Sequence, residues 1–167
     1  MFRIAVELIP YSSFSSGSLG SSVYTVQADG SDRRQLTRGA WEVQDVRLSS
    51  DRKWFWLHTS EASPYERQFY RMPVTGGPVE RLTARPGGHQ VTVSPDGRGL
   101  ADIFSTVNRP PEIFLQANRP MAASDQLTTS STAEWLAGPW IDPAIVMIPT
   151  SDGVQVPAHL YRPEDLG

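Results

Sequence analysis

Apolar and polar residues alternate along most of this chain with a period of two, in short runs broken by turns rich in Gly, Pro, Asp and Ser. The clearest runs lie between residues 40 and 84. "VQDVRLS" alternates and closes at a turn. "KWFWLHTS" holds four consecutive apolar residues, Trp54 to Leu57, as a strand covered on both faces does. "QFYRMPV" alternates again, and "PVERLTA" follows as a fourth run. Period two marks β-strands, because successive side chains leave opposite faces of a sheet. Between the runs stand "Ala-Asp-Gly" at 28–30, "Thr-Gly-Gly" at 75–77 and "Ser-Pro-Asp-Gly" at 94–97. Gly accepts positive φ and Asp bonds its own turn backbone, so these predict tight turns. With 14 Pro and 13 Gly, long helices have little room, and only residues 121–136 leave space for one short helical turn.

The pattern also repeats. "SSVYTVQADGSDRRQLTRG", "RQFYRMPVTGGPVERLTARPG" and "PEIFLQANRPMAASDQLTTS" each read as an alternating segment, a polar turn and a short strand ending in Leu-Thr. The anchors Leu36, Leu82 and Leu127 stand 46 and 45 residues apart, and a second phrase, "VRLSSDRKWFWLHTS" against "VTVSPDGRGLADIFST", returns a spacing of 45 from Ser49 to Ser94. Four antiparallel strands in each such period is the make-up of a β-propeller blade. The expected fold is all-β: a partial propeller of about two and a half four-stranded blades near 1–39, 40–84 and 85–130. Closing a ring takes about 4–8 blades, so the repeat reads as part of something larger. An open sandwich of the same strands is the rival arrangement.

After the last repeat the signature changes. Residues 143–167 show an apolar strand, the Asp152-Gly153 turn and a second strand ending in "LYRPEDLG", which predicts a β-hairpin. The expected division is therefore a partial propeller over 1–142 and a hairpin linker over 143–167.

Composition narrows the chemistry. A net charge of −3, with 14 Arg and 1 Lys scattered along the chain, lacks the clustered basic footprint of a nucleic-acid binder. The absence of cysteine removes disulfides, thiolate nucleophiles and Cys-based metal sites. Glu7 interrupts the apolar residues of "MFRIAVELIP" and no cleavage pattern follows, so a signal peptide is not expected. No run approaches the roughly 18 apolar residues of a membrane helix.

No G-x-S-x-G nucleophile elbow occurs, and the "SSFSSGSLGSS" stretch at 12–22 reads as a hairpin loop. A Ser-His-Asp set can assemble from distant positions, which keeps the three histidines in view. His58 is read as a satisfied edge histidine at the end of the second strand. His89 opens a first strand, and His159 alternates in the tail hairpin. There is no H-E-x-x-H pattern, and Asp29 and Asp32 in "ADGSD" fit a turn better than a calcium loop. No P-loop or dinucleotide spacing is present. Catalytic, cofactor-binding and metal-ligating residues are thus all expected to be absent, and no cofactor is expected. The five tryptophans could stack bases, but strand-centre positions such as Trp54 and Phe55 read more simply as inter-blade core. Trp41 reads as a packing residue where one blade crosses to the next, and Glu42 as a side chain that bonds nearby backbone.

The stretch from Arg33 to Thr83 resembles the later propeller blades of dipeptidyl peptidase IV-type serine peptidases of the prolyl oligopeptidase superfamily. The residues that carry the resemblance are Leu36-Thr37, Gly39, Trp41-Glu42-Val43 and "WFWLHTSEASP". "GGHQVTVSPDG" is similar to the opening of that family's next blade and "STVNRPPEIFL" to its third-strand lead-in. "SDGVQVPAHLYRPEDLG" is similar to its passage toward the hydrolase domain. The resemblance spans about residues 7 to 167. It implies release of N-terminal dipeptides through an acyl-enzyme, by a catalytic triad in an α/β-hydrolase domain beyond Gly167 and a pair of glutamates in an earlier blade. Neither set maps onto a residue of this chain. What remains is a non-catalytic propeller wall that gates access and positions substrate. Its implied partners are peptide substrates of the full enzyme, the hydrolase domain of the same protein, and further copies of itself. A TolB-like or WD40-like propeller piece that scaffolds protein partners is the alternative. Family members are often periplasmic or secreted, and the compartment stays open, the cytoplasm included.

Overall fold

The computed structural model describes residues 7–11 and 20–165; the loop expected over 12–22 lies outside them except for its last three residues, which are strand. Three antiparallel meanders follow one another, each with its strands hydrogen-bonded in chain order. The first holds β1 (Glu7–Tyr11), β2 (Gly20–Thr25) and β3 (Arg34–Gln35). The second holds β4 (Val43–Leu48), β5 (Trp54–Thr59), β6 (Gln68–Pro73) and β7 (Glu80–Arg81). The third holds β8 (Gly88–Val93), β9 (Gly99–Thr106), β10 (Arg109–Ala117) and β11 (Ser124–Gln126). A single helical turn, α1 (Ala133–Leu136), precedes a separate hairpin of β12 (Ala144–Pro149) and β13 (Gln155–Leu160). The chain is all-β with open, unclosed sheets, as a partial propeller requires.

Two cores hold the sheets face to face. Val23, Val43, Phe55, Leu57, Tyr70 and Met72 bury themselves in the first, with Leu36 and Trp41 packed against them. Phe69, Leu82, Val91 and Leu100 form the second, flanked by Trp56 and Val93. Strand alternation explains the split. In β5, Phe55 and Leu57 enter the first core, while Trp56 and His58 turn toward the third sheet.

The Leu-Thr anchor has a physical job that recurs in every meander. The Leu N–H donates to a carbonyl of the third strand of its meander (β2 in the first): Leu36 to Val23, Leu82 to Phe69, Leu127 to Ile113, at 2.7–2.8 Å. The Thr Oγ1 then accepts the N–H of that same residue: Thr37 from Val23, Thr83 from Phe69, Thr128 from Ile113, at 2.8–2.9 Å. A side chain two residues earlier, Gln35, Arg81 or Gln126, donates to the Thr carbonyl. The threonine hydroxyl thus replaces a ladder carbonyl and ends the outer strand after two or three residues. Pro78, which has no N–H, shortens β7 from the other end, so the strand expected over 78–84 forms only at Glu80–Arg81.

The turns repeat too. Ser49 Oγ donates to Asp51 and accepts the Trp54 N–H, and Ser94 Oγ donates to Asp96 and accepts the Gly99 N–H. Thr150 and Asp152 build the same loop in the hairpin. The residue after the aspartate is left-handed each time, with φ of 73° at Gly97, 83° at Gly153 and 58° at Arg52. An L-residue there costs about 1–2 kcal/mol, whereas glycine loosens the unfolded chain by roughly 0.4–1 kcal/mol. Arg52→Gly is therefore expected to stabilise the chain by about 0.5–1 kcal/mol, read as a higher urea midpoint.

Gly39 explains its own place beside Trp41. Its φ is +143°, and a Cβ there would lie 2.1 Å from Trp41 Nε1, so the indole folds back over bare backbone. The Glu42 side chain is exposed, contrary to the expectation that it bonds backbone. The contacts come from its main chain, whose N–H donates to Ser60 Oγ and whose carbonyl accepts the Ser60 N–H, both at 3.0 Å.

Candidate functional site

The chemistry-bearing side chains gather along the seam between the second and third sheets. His58 sits on β5, a central strand and not an edge one, and is 3% exposed. Its Nε2 accepts the Val91 N–H of β8 at 3.2 Å, and its Nδ1 lies 3.5 Å from Asp45 Oδ2. The ring packs at 4.9 Å from Phe69. A nitrogen that accepts cannot carry a proton, so this geometry requires the neutral imidazole. The electrostatics agree: burial, reinforced by repulsion from Arg67, lowers the His58 pKa from 6.5 to about 4 against the pull of Asp45.

His89, two residues before Val91, has a different environment. Nδ1 lies 2.6 Å from Asp102 Oδ2, and Nε2 lies 2.9 Å from the Arg85 carbonyl. Both residues are 3% exposed, and Phe104 packs on the ring at 4.8 Å. A His-Asp couple is two thirds of a nucleophile-activating set. Here the second ring nitrogen meets a main-chain carbonyl where such a set would place a hydroxyl, and no substrate can reach it. The pair ties β8 to β9 and to the loop before β8. The Arg85 carbonyl also accepts from Gln68 Nε2 at 2.7 Å, so one oxygen joins both sheets.

Glu112 closes the third meander. It accepts from the hydroxyls of Thr128 and Ser130 and from the Ser130 N–H, and these donors lower its pKa to about 2. Gln68 holds the matching position in the second meander, where Thr83 Oγ1 donates to its Oε1 at 2.6 Å.

His159 is exposed on β13, far along the chain from the other two. Asp29 accepts from the Ser31 N–H and hydroxyl, the turn expected there. Among the described residues, no three His, Asp or Glu side chains come together in a way that could hold a metal, and no helix is long and apolar enough to cross a membrane. Trp54, expected in the core, is half-buried at the edge of the seam. The roles of Asp102, Arg85, Gln68 and Glu112 have no motif. The only sequence signal is that Gln68 and Glu112 each stand one residue before the strand position that the Leu-Thr anchor clamps.

Two surfaces are left apolar. The outer face of the third sheet shows Ile103, Ile113, Leu115 and Leu127. Leu127 is 63% exposed, although its counterpart Leu82 is fully covered by the next sheet. The hairpin exposes Ile145, Met147, Ile148, Val156 and Leu160, and is tied back by Tyr65 Oη donating to Met147 Sδ at 3.4 Å and by Asn108 bonding Asp142. A cavity of about 1010 Å³ lies beneath it, with Trp135, Trp140 and Ile145 on its wall.

A family model described as the dipeptidyl peptidase IV (DPP IV) N-terminal region covers residues 8–111, more than half of the chain, from β1 into β10.

Proposed function

The chain belongs to the dipeptidyl peptidase IV N-terminal-region family, and from that premise we propose that it is non-catalytic propeller wall of a dipeptidyl-peptidase-like serine exopeptidase. In this role the stacked meanders narrow the approach to a hydrolase domain and hold peptide substrates in place. The hairpin of β12 and β13 passes toward that domain, which covers its apolar side chains. On this reading the repeat unit occupies 1–142 and the linker 143–167.

The observation that carries the proposal is the fate of the equivalent leucines. Leu36 and Leu82 pack under the following sheet, while Leu127, in the same register, faces outward among aliphatic neighbours. A contiguous aliphatic face left exposed in this way has the composition of an interaction surface. The buried histidines support the non-catalytic part, because His58 is spent on a β8 N–H and His89 on Asp102 and a carbonyl.

The purified chain is expected not to hydrolyse Xaa-Pro chromogenic dipeptides. Turnover that a serine-directed inhibitor abolishes would overturn the proposal. Coding sequence beyond Gly167 offers a second check. A G-x-S-x-G followed by Asp and His supports the peptidase, and further repeats of about 45 residues favour a scaffold instead.

A further inference from the structure

The strand β12 has one unpaired edge, and the hairpin register assigns the main-chain groups that face it. The Thr150 N–H donates to the Val154 carbonyl at 2.8 Å, which makes the adjacent Pro149–Gln155 pair a non-bonded one. Bonded and non-bonded pairs alternate along an antiparallel ladder. Ala144, Val146 and Ile148 therefore turn their N–H and C=O groups toward β13, while Ile145 and Met147 turn theirs away from it. The same alternation places Pro157, opposite Met147, at an outward position of β13. Proline has no N–H, so the β13 edge lacks a donor that the β12 edge keeps.

The edges of the second and third meanders are occupied or interrupted. On β8 the His89 N–H donates to the Arg67 carbonyl at 3.0 Å and the Val91 N–H to His58 at 3.2 Å. On β4 a bulge falls between Val43 and Asp45, and the strand carries Asp45 and Arg47. The outer strands β7 and β11 end after two or three residues. These are the ordinary protections of a sheet edge, and β12 has none of them. It pairs with β13 alone, and its residues before Pro149 are Ala-Ile-Val-Met-Ile, without a charge or a proline. A two-stranded hairpin in water is marginal by itself and gains from a third strand.

The strand that completes this edge has to be apolar, uncharged and as short as the stretch between Pro143 and Pro149, which lack the N–H groups that would lengthen the ladder. A second copy of β12 meets each condition. Turned antiparallel about a two-fold axis at Val146, Ile145 of one copy exchanges both main-chain bonds with Met147 of the other, and Met147 with Ile145. We infer that β12 pairs edge to edge with β12 of a second copy of this chain, giving a four-stranded sheet in the order β13-β12-β12-β13. Growth stops there, because each new outer edge is a β13 blunted by Pro157, and a two-fold pair closes on itself. Val146 shares its face with the exposed Ile148 and Val156, so an apolar surface runs unbroken across the axis. Tyr65 holds Met147 from the opposite face. A domain packed on the faces of the hairpin leaves this edge open, so the pairing does not depend on any peptidase activity.

Sedimentation of the purified chain over a range of concentrations tests the pairing. A monomer–dimer equilibrium with no larger species is expected. Val146 meets its own copy at the axis, so Val146→Lys sets two like charges opposite each other and should leave a monomer. Val146→Glu should do the same, and an equimolar mixture of the two variants should restore the dimer. Met147→Pro removes one outward N–H from each copy and spares the hairpin's own bonds. It should weaken the dimer roughly 5- to 100-fold, the worth of two hydrogen bonds. Should Met147→Pro fail to fold, the two charge variants decide alone. A chain that stays monomeric at every concentration overturns the inference, as does a mixture of the charge variants that does not pair. A dimer that Val146→Lys leaves intact overturns it too, and points to the aliphatic face of the third sheet, which Ile113→Lys would then disrupt. Species that keep growing beyond the dimer overturn the closed pair.

Discussion

Thr83→Val is expected to cost about 2–4 kcal/mol of stability, read as a fall in the urea midpoint with the slope unchanged. The substitution keeps the shape of the side chain and removes only its oxygen. Thr83 Oγ1 accepts the Phe69 N–H at 2.9 Å and donates to Gln68 Oε1 at 2.6 Å, and all three groups are buried. Valine leaves an N–H and an amide oxygen unpaired, each worth about 1–3 kcal/mol when water cannot reach it. The two share one site, so their costs fall short of adding. The repeat supplies internal controls. Thr37→Val orphans only the Val23 N–H and should cost about 1–2 kcal/mol. Thr128 sits where water can substitute, and its loss should be felt at the low end of that range or below. A flat series, with all three variants alike, would mean that the clamp does not set the energetics of the outer strand.

That clamp is also why so much of the architecture was legible. A spacing of 45–46 residues between Leu-Thr pairs survives in the sequence because one pair of bonds has to be made in every meander. The Ser-x-Asp turns are legible for the same reason, since a hydroxyl and a carboxylate at fixed offsets satisfy the turn backbone. What the sequence hid lies between strands. His89 and Asp102 are 13 residues apart and meet only because β8 and β9 pair with Gly88 opposite Ser105. His58 looked like an edge residue because its run ends nearby, yet β5 has a neighbour on each side, and its partner Val91 belongs to another sheet. Trp54 was misplaced for a different reason. Alternation correctly puts it on the face toward the third sheet, but whether that face is filled depends on the opposite wall, where Val93 and the Ser94–Gly97 turn are too small. Hydrophobicity gives a direction for a side chain, and packing depends on its counterpart. The family resemblance, by contrast, was readable directly, because Trp41 and Gly39 are locked together: the indole occupies the space of a missing Cβ.

His58 should make the stability of this chain fall as pH drops from about 6.5 to about 4. Its folded pKa is depressed to about 4, first by burial and then by Arg67, while in the unfolded chain it returns to the ordinary value of 6.5. Between those values the unfolded state binds a proton that the folded state refuses, so stability rises with pH across that window and is level above it. At 1.36 kcal/mol per pKa unit, the full span corresponds to ~3 kcal/mol, and water reaching the unfilled space beside Trp54 trims it to roughly 2–3 kcal/mol. The structural event is the loss of the one side-chain bond from β5 to the β8 backbone, since a protonated Nε2 can no longer accept the Val91 N–H. His58→Gln keeps an acceptor and cannot titrate, so its stability should be level from pH 7 to 5. Glu112 provides a separate acid limb. Its pKa is lowered from 4.5 to about 2 by Ser130 and Thr128, so the stability it contributes is present above 4.5 and lost as pH falls toward 2. The two limbs belong to different sheets and pH ranges. A urea series at half-unit intervals should show the upper one vanish in His58→Gln and the lower one in Glu112→Gln. If His58→Gln keeps the wild-type slope between pH 6.5 and 4.5, the seam between the second and third sheets does not titrate through His58.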